Sequence, residues 1–300
     1  VTDVDVRVEA DQPPAVGRHH AQRRPSVSFV AVLAWVAVLV VAPNMLLLFY
    51  SVLTNRSGRA TTQLTLDNYV SVVTSDVTPL LLGRTLVTAV AAAALATVIA
   101  YPAALFALRN LGRHRTLAVL LMVVPLWISY LVRVYAWKII LGDSGVINST
   151  LAAVGLTDEP LSFLLYSRFA VLITLTYVSI PFVFVTSYTA LERIPPSLLE
   201  AAEDSGASPF RVVRHVIWPL SRQSAAIGFS LALLIAVGDY LTPSLVGGLR
   251  GTMYGSLVVS QFGIANNWPL GAALSVVLMV VVGALLLAVA RLTRTEGHLE

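Results

Sequence analysis

Six stretches of this sequence are long, apolar and nearly free of charge: residues 27–50, 83–108, 116–140, 168–191, 224–246 and 268–290. Each meets the roughly 20 residues an α-helix needs to cross the hydrocarbon core of a bilayer. The apolar residues come in long blocks of this length, the pattern of a polytopic α-helical membrane protein. The expected fold is therefore an all-α polytopic membrane protein with six transmembrane helices. A charged fraction of 12%, against about a quarter in ordinary soluble domains, fits this class.

The polar remainder sets the organisation. Residues 1–26 contain Pro and charge with nothing to bury, and read as a disordered tail. The adjacent His19 and His20 lie there without further metal-ligand spacing. Arg23 and Arg24 precede the first span, which is longer than a signal h-region and lacks a small-x-small cleavage site, so a retained span is expected. The six-helix domain runs over 27–291, and 292–300 form a short tail. Six spans put both termini on one side. That side holds Arg7, Arg18, Arg23, Arg24, Arg109, Arg113, Arg115, Arg193, Arg211, Arg214, Arg222, Arg291 and Arg294, the majority of the 20 basic residues. The positive-inside rule makes it cytoplasmic, which places the chain in a cell membrane as a multi-pass protein.

The longest folded-looking stretch between spans is residues 191–223, LERIPPSLLEAAEDSGASPFRVVRHVIWPLSRQ. Pro195 and Pro196 end the preceding helix. Ser197 and Glu200 have capping-box spacing, predicting a short helix from about Leu198. Gly206 suits a left-handed closing position. Ser208 and Pro209 predict the cap and first turn of a second helix, ended or kinked at Pro219. Its periodicity puts Phe210, Val213, Val216 and Ile217 on one side and Arg211, Arg214 and His215 on the other. Glu203 and Asp204 sit where the helix dipole disfavours anions, as solvated acids or as charges that serve a partner.

Several chemistries are excluded. The single lysine, Lys138, is followed by Ile139, so no Gly-Lys-Ser/Thr phosphate loop exists and any ATP must be hydrolysed by another chain. There is no Cys, no His-Glu-x-x-His and no Gly-x-Ser-x-Gly, which argues against an intramembrane enzyme. A stand-alone channel or secondary transporter would need more intramembrane ion-coupling residues than one acid. That acid is Asp239, in the fifth predicted span. It is costly there unless it faces a polar path or a partner. Two readings stand: contact with a cationic substrate, or pairing with Arg133 or Lys138. Tyr240, Tyr135, Trp137, Tyr254 and Trp268 near the same face could offer rings to ammonium groups, or form an interfacial belt. Pro102, Pro125 and Pro181 read as kinks absorbed by neighbouring helices.

Glu200-Ala201-Ala202, Gly206 and Val216-Ile217-Trp218-Pro219 resemble the EAA motif of permease subunits of bacterial binding-protein-dependent ABC importers. The spacing matches throughout; Val216 stands for Ile and Trp218 for Leu. The resemblance covers the chain from about residue 27. It implies the type I importer permease fold, with the hairpin as a coupling element whose Glu200, Ala201, Ala202, Asp204, Gly206, Phe210, Arg211 and Pro219 face an ATPase. It also implies partners: a dimer of ATPase subunits carrying ATP and Mg, a second homologous permease, an extracytoplasmic substrate-binding protein docking on 141–167 and 247–267, and membrane lipid, with no nucleic acid. No cofactor or metal would be held by this chain. Residues 124–148, 238–248 and 267–279 look like the spermidine/putrescine type, and permeases for ferric iron, thiamine or phosphonate share related stretches. The expected role is half of a translocation pore for a small cationic solute.

Overall fold

The computed structural model describes residues 27–56 and 58–294. The expectations about the N-terminal tail, His19–His20 and residues 295–300 lie outside them. The chain divides into two compact units, residues 1–45 and 46–300. Over its described residues the first unit is apolar helix, part of α1 (Val27–Ser51). Asn44 Nδ2 donates to Val40 O at 2.7 Å, so this amide is satisfied within the helix.

The second unit holds the end of α1, then an antiparallel hairpin of β1 (Leu53–Arg56) and β2 (Arg59–Leu64), followed by the short helix α2 (Asp67–Thr74). Asn68 Nδ2 donates to Ser51 O and Leu53 O at 2.9 and 2.8 Å, tying α2 to the start of the hairpin. The segment between the first two spans is thus a built element, and α2 lies along it with Val72 turned inward.

The core is made by α3 (Val77–Asn110), α7 (Arg168–Glu192) and α10 (Trp218–Gly238). One face of α3 carries Ala89, Ala93, Ala96, Ala100, Ala104 and Ala107, all buried, at helical spacing. Methyl side chains let backbones approach, which replaces the missing hydrophobic drive between helices in lipid. Gly228 of α10 does the same against α7: a Cβ there would lie 2.5 Å from Thr186 Oγ1 and 3.2 Å from the Val183 Cα. Tyr101 of α3 and Ser221 of α10 share a buried hydroxyl contact at 2.6 Å, and Ser221 Oγ donates onward to Ile217 O at 2.7 Å.

Among the described residues five helical stretches are long and apolar enough to cross a membrane: 31–51, 77–110, 168–192, 209–238 and 268–293. The last lies in α12 (Trp268–Arg294). The predicted third span, 116–140, is not one straight helix. It divides into α4 (Arg115–Trp127) and α5 (Tyr130–Leu141), part of a helix pair bent by 98°. Ile128 and Ser129 adopt extended backbone at ψ 136°, just after the weakened turn at Pro125. Pro125 therefore precedes a break rather than a kink. Pro102 and Pro181 lie inside continuous helices, as expected. The predicted fifth span also differs. Its helix stops at Gly238, and Asp239 is extended at ψ 124°. A π-helical turn follows at Pro243–Gly247. The loops at 141–167 and 247–267 contain the short helices α6 (Val146–Ala153) and α11 (Tyr254–Phe262).

Candidate functional site

The hairpin is built from α8 (Pro196–Asp204) and α9 (Pro209–Val212) around Gly206, whose φ of +77° is the left-handed conformation that favours glycine. The start differs from the predicted capping box. Pro195 is the N-cap and Pro196 the first helical residue, where its missing N–H costs nothing, and no side chain caps the helix. Ser208 likewise precedes Pro209 without a side-chain cap bond. In α8, Leu199 and Ala202 pack against the core, while Ser197, Glu200, Ala201 and Asp204 are exposed at helical spacing. Ala202 thus fixes the hairpin to the body instead of facing outward.

The second half corrects the predicted faces. Val212 and Ile217 are buried, whereas Phe210 is 72% exposed, with Arg211, Arg214 and His215 exposed nearby. An exposed aromatic beside exposed cations and an Ala-Glu face makes a surface suited to helix-in-groove docking. Glu203 is not among its free acids: its Oε1 meets Arg109 Nη2 at 3.1 Å, joining the hairpin to the end of α3. A cation in the last turn of α3 suits that helix's dipole. Among the described residues no three His, Asp or Glu converge as a metal site.

Pro219 does not end this helix. Pro209–Gly238 form one continuous stretch through a π-helical turn at Val213–Ile217. The Trp218 N–H reaches Val213 O, five residues back, and the widened turn accommodates the proline that follows. Tyr101 braces the turn, packing edge-on against Trp218 with ring centroids 5.4 Å apart. Thirty residues at about 1.5 Å each make a rod of roughly 45 Å. It carries the hairpin at one end and Asp239 at the other.

At that far end Asp239 is buried, yet it is paired with neither Arg133 nor Lys138. Its Oδ1 accepts from the backbone N–H of Leu241 at 2.8 Å and of Thr242 at 3.2 Å, capping the next helical turn. Its Oδ2 accepts a hydrogen bond from the Tyr130 hydroxyl, which also contacts Thr242 Oγ1 at 2.9 Å. Tyr130 opens α5 immediately after the break, so the broken span is what brings it to Asp239. The Arg133 guanidinium lies over the Tyr130 ring, 5.4 Å from its centroid, and its Nε and Nη1 are buried without hydrogen bonds. The result is a stack of cation, phenol and carboxylate, in which Tyr130 stands between the two charges.

The other aromatic residues separate. Tyr240 and Tyr135 are nearly half exposed. Lys138 Nζ lies 5.8 Å from both the Tyr135 and Tyr166 ring centroids. Trp137 packs on Tyr177 at 5.5 Å. Trp268 belongs to a different cluster, with Phe262 at 5.7 Å and Tyr50 at 6.3 Å. Tyr254 is fully buried, donates from its hydroxyl to Leu274 O at 3.0 Å, and is a core residue rather than part of a path.

Residues 100–292 match the family model described as binding-protein-dependent transport system inner membrane component. The spermidine/putrescine transport system permease protein PotB of Escherichia coli (strain K12) is 32% identical over 266 residues, 88% of this chain and 96% of that one. The protein of the same name from Haemophilus influenzae is 31% identical, covering 87% and 91%. A solved bacterial ABC transporter involved in import of the acidic polysaccharide alginate contains a chain that superposes with a TM-score of 0.72 over 90% of this one, at 16% identity.

Proposed function

This chain belongs to the binding-protein-dependent transport system inner membrane components, as the permease subunit of an ABC importer, and from that premise we propose that it forms half of a pore for a small polycation of the spermidine/putrescine class. The observation that carries the mechanism is the single helical rod from the hairpin to Asp239. An ATPase dimer holding ATP and Mg grips the exposed face around Glu200, Ala201, Phe210 and Arg211. The rod is too well packed on α3 and α7 to bend freely, so closure of the ATPases moves it as a body. Its far end shifts the Asp239 turn relative to Tyr130 across the break. A passing ammonium then competes with the Tyr130 hydroxyl for the carboxylate. Binding there is weak by design, because a pore site must release what it takes.

The near full-length relationship to permeases named for spermidine and putrescine supports the substrate class, and a buried carboxylate beside Tyr130 and Tyr240 fits it chemically. The hairpin and both termini are cytoplasmic, consistent with the basic bias of that side. A second permease subunit completes the pore, and an extracytoplasmic binding protein delivers substrate to the opposite face, around α6 and α11. The chain itself catalyses no reaction.

Uptake by the reconstituted transporter, with spermidine, putrescine, ferric iron, thiamine and phosphonate as competitors, tests the substrate. Competition by the polyamines alone is expected. Asp239→Asn keeps the oxygen that caps Leu241 and Thr242 but removes the charge. It should lower polyamine uptake about tenfold or more while the complex still assembles. Loss of assembly with unchanged uptake per assembled complex would show Asp239 to be purely structural.

A further inference from the structure

We propose that Arg84, Arg168 and Arg250 form a binding site for the phosphate headgroup of an anionic phospholipid. The three come from different elements: α3, the first residue of α7, and the turn before α11. They line two adjoining hollows that share Arg84, Thr88 and Arg168. The larger, about 440 Å³, is bounded by Leu80, Gly83, Arg84, Val87, Thr88 and Arg168 among others. The much smaller one adds Arg250. Among the described residues no acidic side chain lines either. Among the described residues none of the three arginines is ion-paired.

Such a gathering of like charge is unfavourable unless an anion offsets it. The positive end of the α7 dipole adds to it, since Arg168 occupies the first turn, where a cation is disfavoured. The guanidinium of Arg168 is also held in place: its Nε donates to Arg250 O at 3.1 Å, leaving its terminal nitrogens for a ligand. Arginine is the side chain best matched to a phosphate, through paired parallel N–H donors.

The larger hollow's other wall identifies the anion as a lipid. Leu80 and Val87 are 51% and 71% exposed on α3, on either side of Arg84, and the helix around them is apolar enough to span the membrane. Arg84 lies eight residues into a 34-residue helix, and Arg168 begins a 25-residue one. Both therefore sit at the end of a span, where headgroups meet acyl chains. A phosphate among the arginines would place its chains along Leu80 and Val87. On the sidedness proposed above this is the outer leaflet; the site itself does not depend on the transported substrate.

The test is lipid retention by the full chain purified in neutral detergent, measured by native mass spectrometry. Phosphatidylglycerol, phosphatidylcholine and inorganic phosphate are the probes. Phosphatidylglycerol should be retained over phosphatidylcholine. Its apparent affinity should fall about fivefold for each of Arg84→Gln, Arg168→Gln and Arg250→Gln, and roughly a hundredfold for the triple variant. Arg56→Gln, on the exposed β hairpin, should change nothing. Each single variant is checked by its melting curve, so that loss of fold is told apart from loss of the site. Equal retention by wild type and triple variant overturns the proposal. So does saturation by inorganic phosphate at the same concentration as the lipid, which would mark a bare anion site. Weakened docking of an acidic binding protein with unchanged lipid retention would assign the arginines to a protein interface instead.

Discussion

Tyr130 is the residue on which the intramembrane site turns. Its hydroxyl donates to Asp239 and its ring carries Arg133, so one side chain compensates the carboxylate and shields the guanidinium. A hydrogen bond to a charged group contributes about 1.5–3 kcal/mol. If a substrate ammonium competes for that carboxylate, Tyr130→Phe should lower the polyamine concentration for half-maximal uptake roughly tenfold. It should also lower maximal transport, because release is slowed. An unchanged or raised half-saturation concentration would remove Tyr130 from the substrate pathway. The sequence exposes Asp239 by its chemistry alone, since a carboxylate in an apolar run stands out. Tyr130 carries no such signal: it lies 109 residues away and reads as one more aromatic at a membrane face. Glu203 illustrates the same limit. It looks misplaced at the end of its own helix, and the reason is Arg109, 94 residues earlier.

At the scale of elements, the π-helical turn and the helix crossing at Gly228 matter most. Both belong to the rod from Pro209 to Gly238. Gly228 sits where α10 crosses α7, with Val183 backbone 3.2 Å from the position of a Cβ. Gly228→Ala must push the helices apart and should cost about 1–3 kcal/mol. A lowered melting temperature of the purified chain, with transport reduced in proportion, is the expected outcome; an unchanged melting temperature would show that the crossing is loose. Gly206 and the two prolines at 195 and 196 are legible without a structure, because backbone restrictions act locally. The capping box is not, because Pro196 starts the helix before Ser197 could cap it. Pro219 is ambiguous for a similar reason. A proline either ends a helix or is absorbed by a wider turn, and Tyr101 packing against Trp218 favours the second.

For the molecule as a whole, the alternation of apolar runs and short polar loops carries most of the fold, because lipid leaves a chain so few options. The four continuous spans after α1 begin or end within a few residues of expectation only where a loop punctuates them. Where one helix passes straight through the predicted boundary, as at residues 209–238, hydropathy gives no warning. The break at Ile128–Ser129 is equally silent, since both halves are apolar. In the mechanism we propose, these two departures act together: the unbroken rod reaches Asp239 and the broken span delivers Tyr130 to it, so that a push on the hairpin would be felt about 45 Å away. The proposed docking surface is exposed and separable from the core: Glu200→Ala and Phe210→Ala leave every buried contact in place.

The most direct measurement is ATP hydrolysis alongside spermidine uptake in proteoliposomes holding the assembled transporter and loaded binding protein. With Glu200→Ala and Phe210→Ala combined, hydrolysis and uptake are both expected to fall at least about tenfold, as removal of central interface anchors does elsewhere, while the chain stays folded. Wild-type hydrolysis and uptake in that variant would contradict the coupling role of the hairpin.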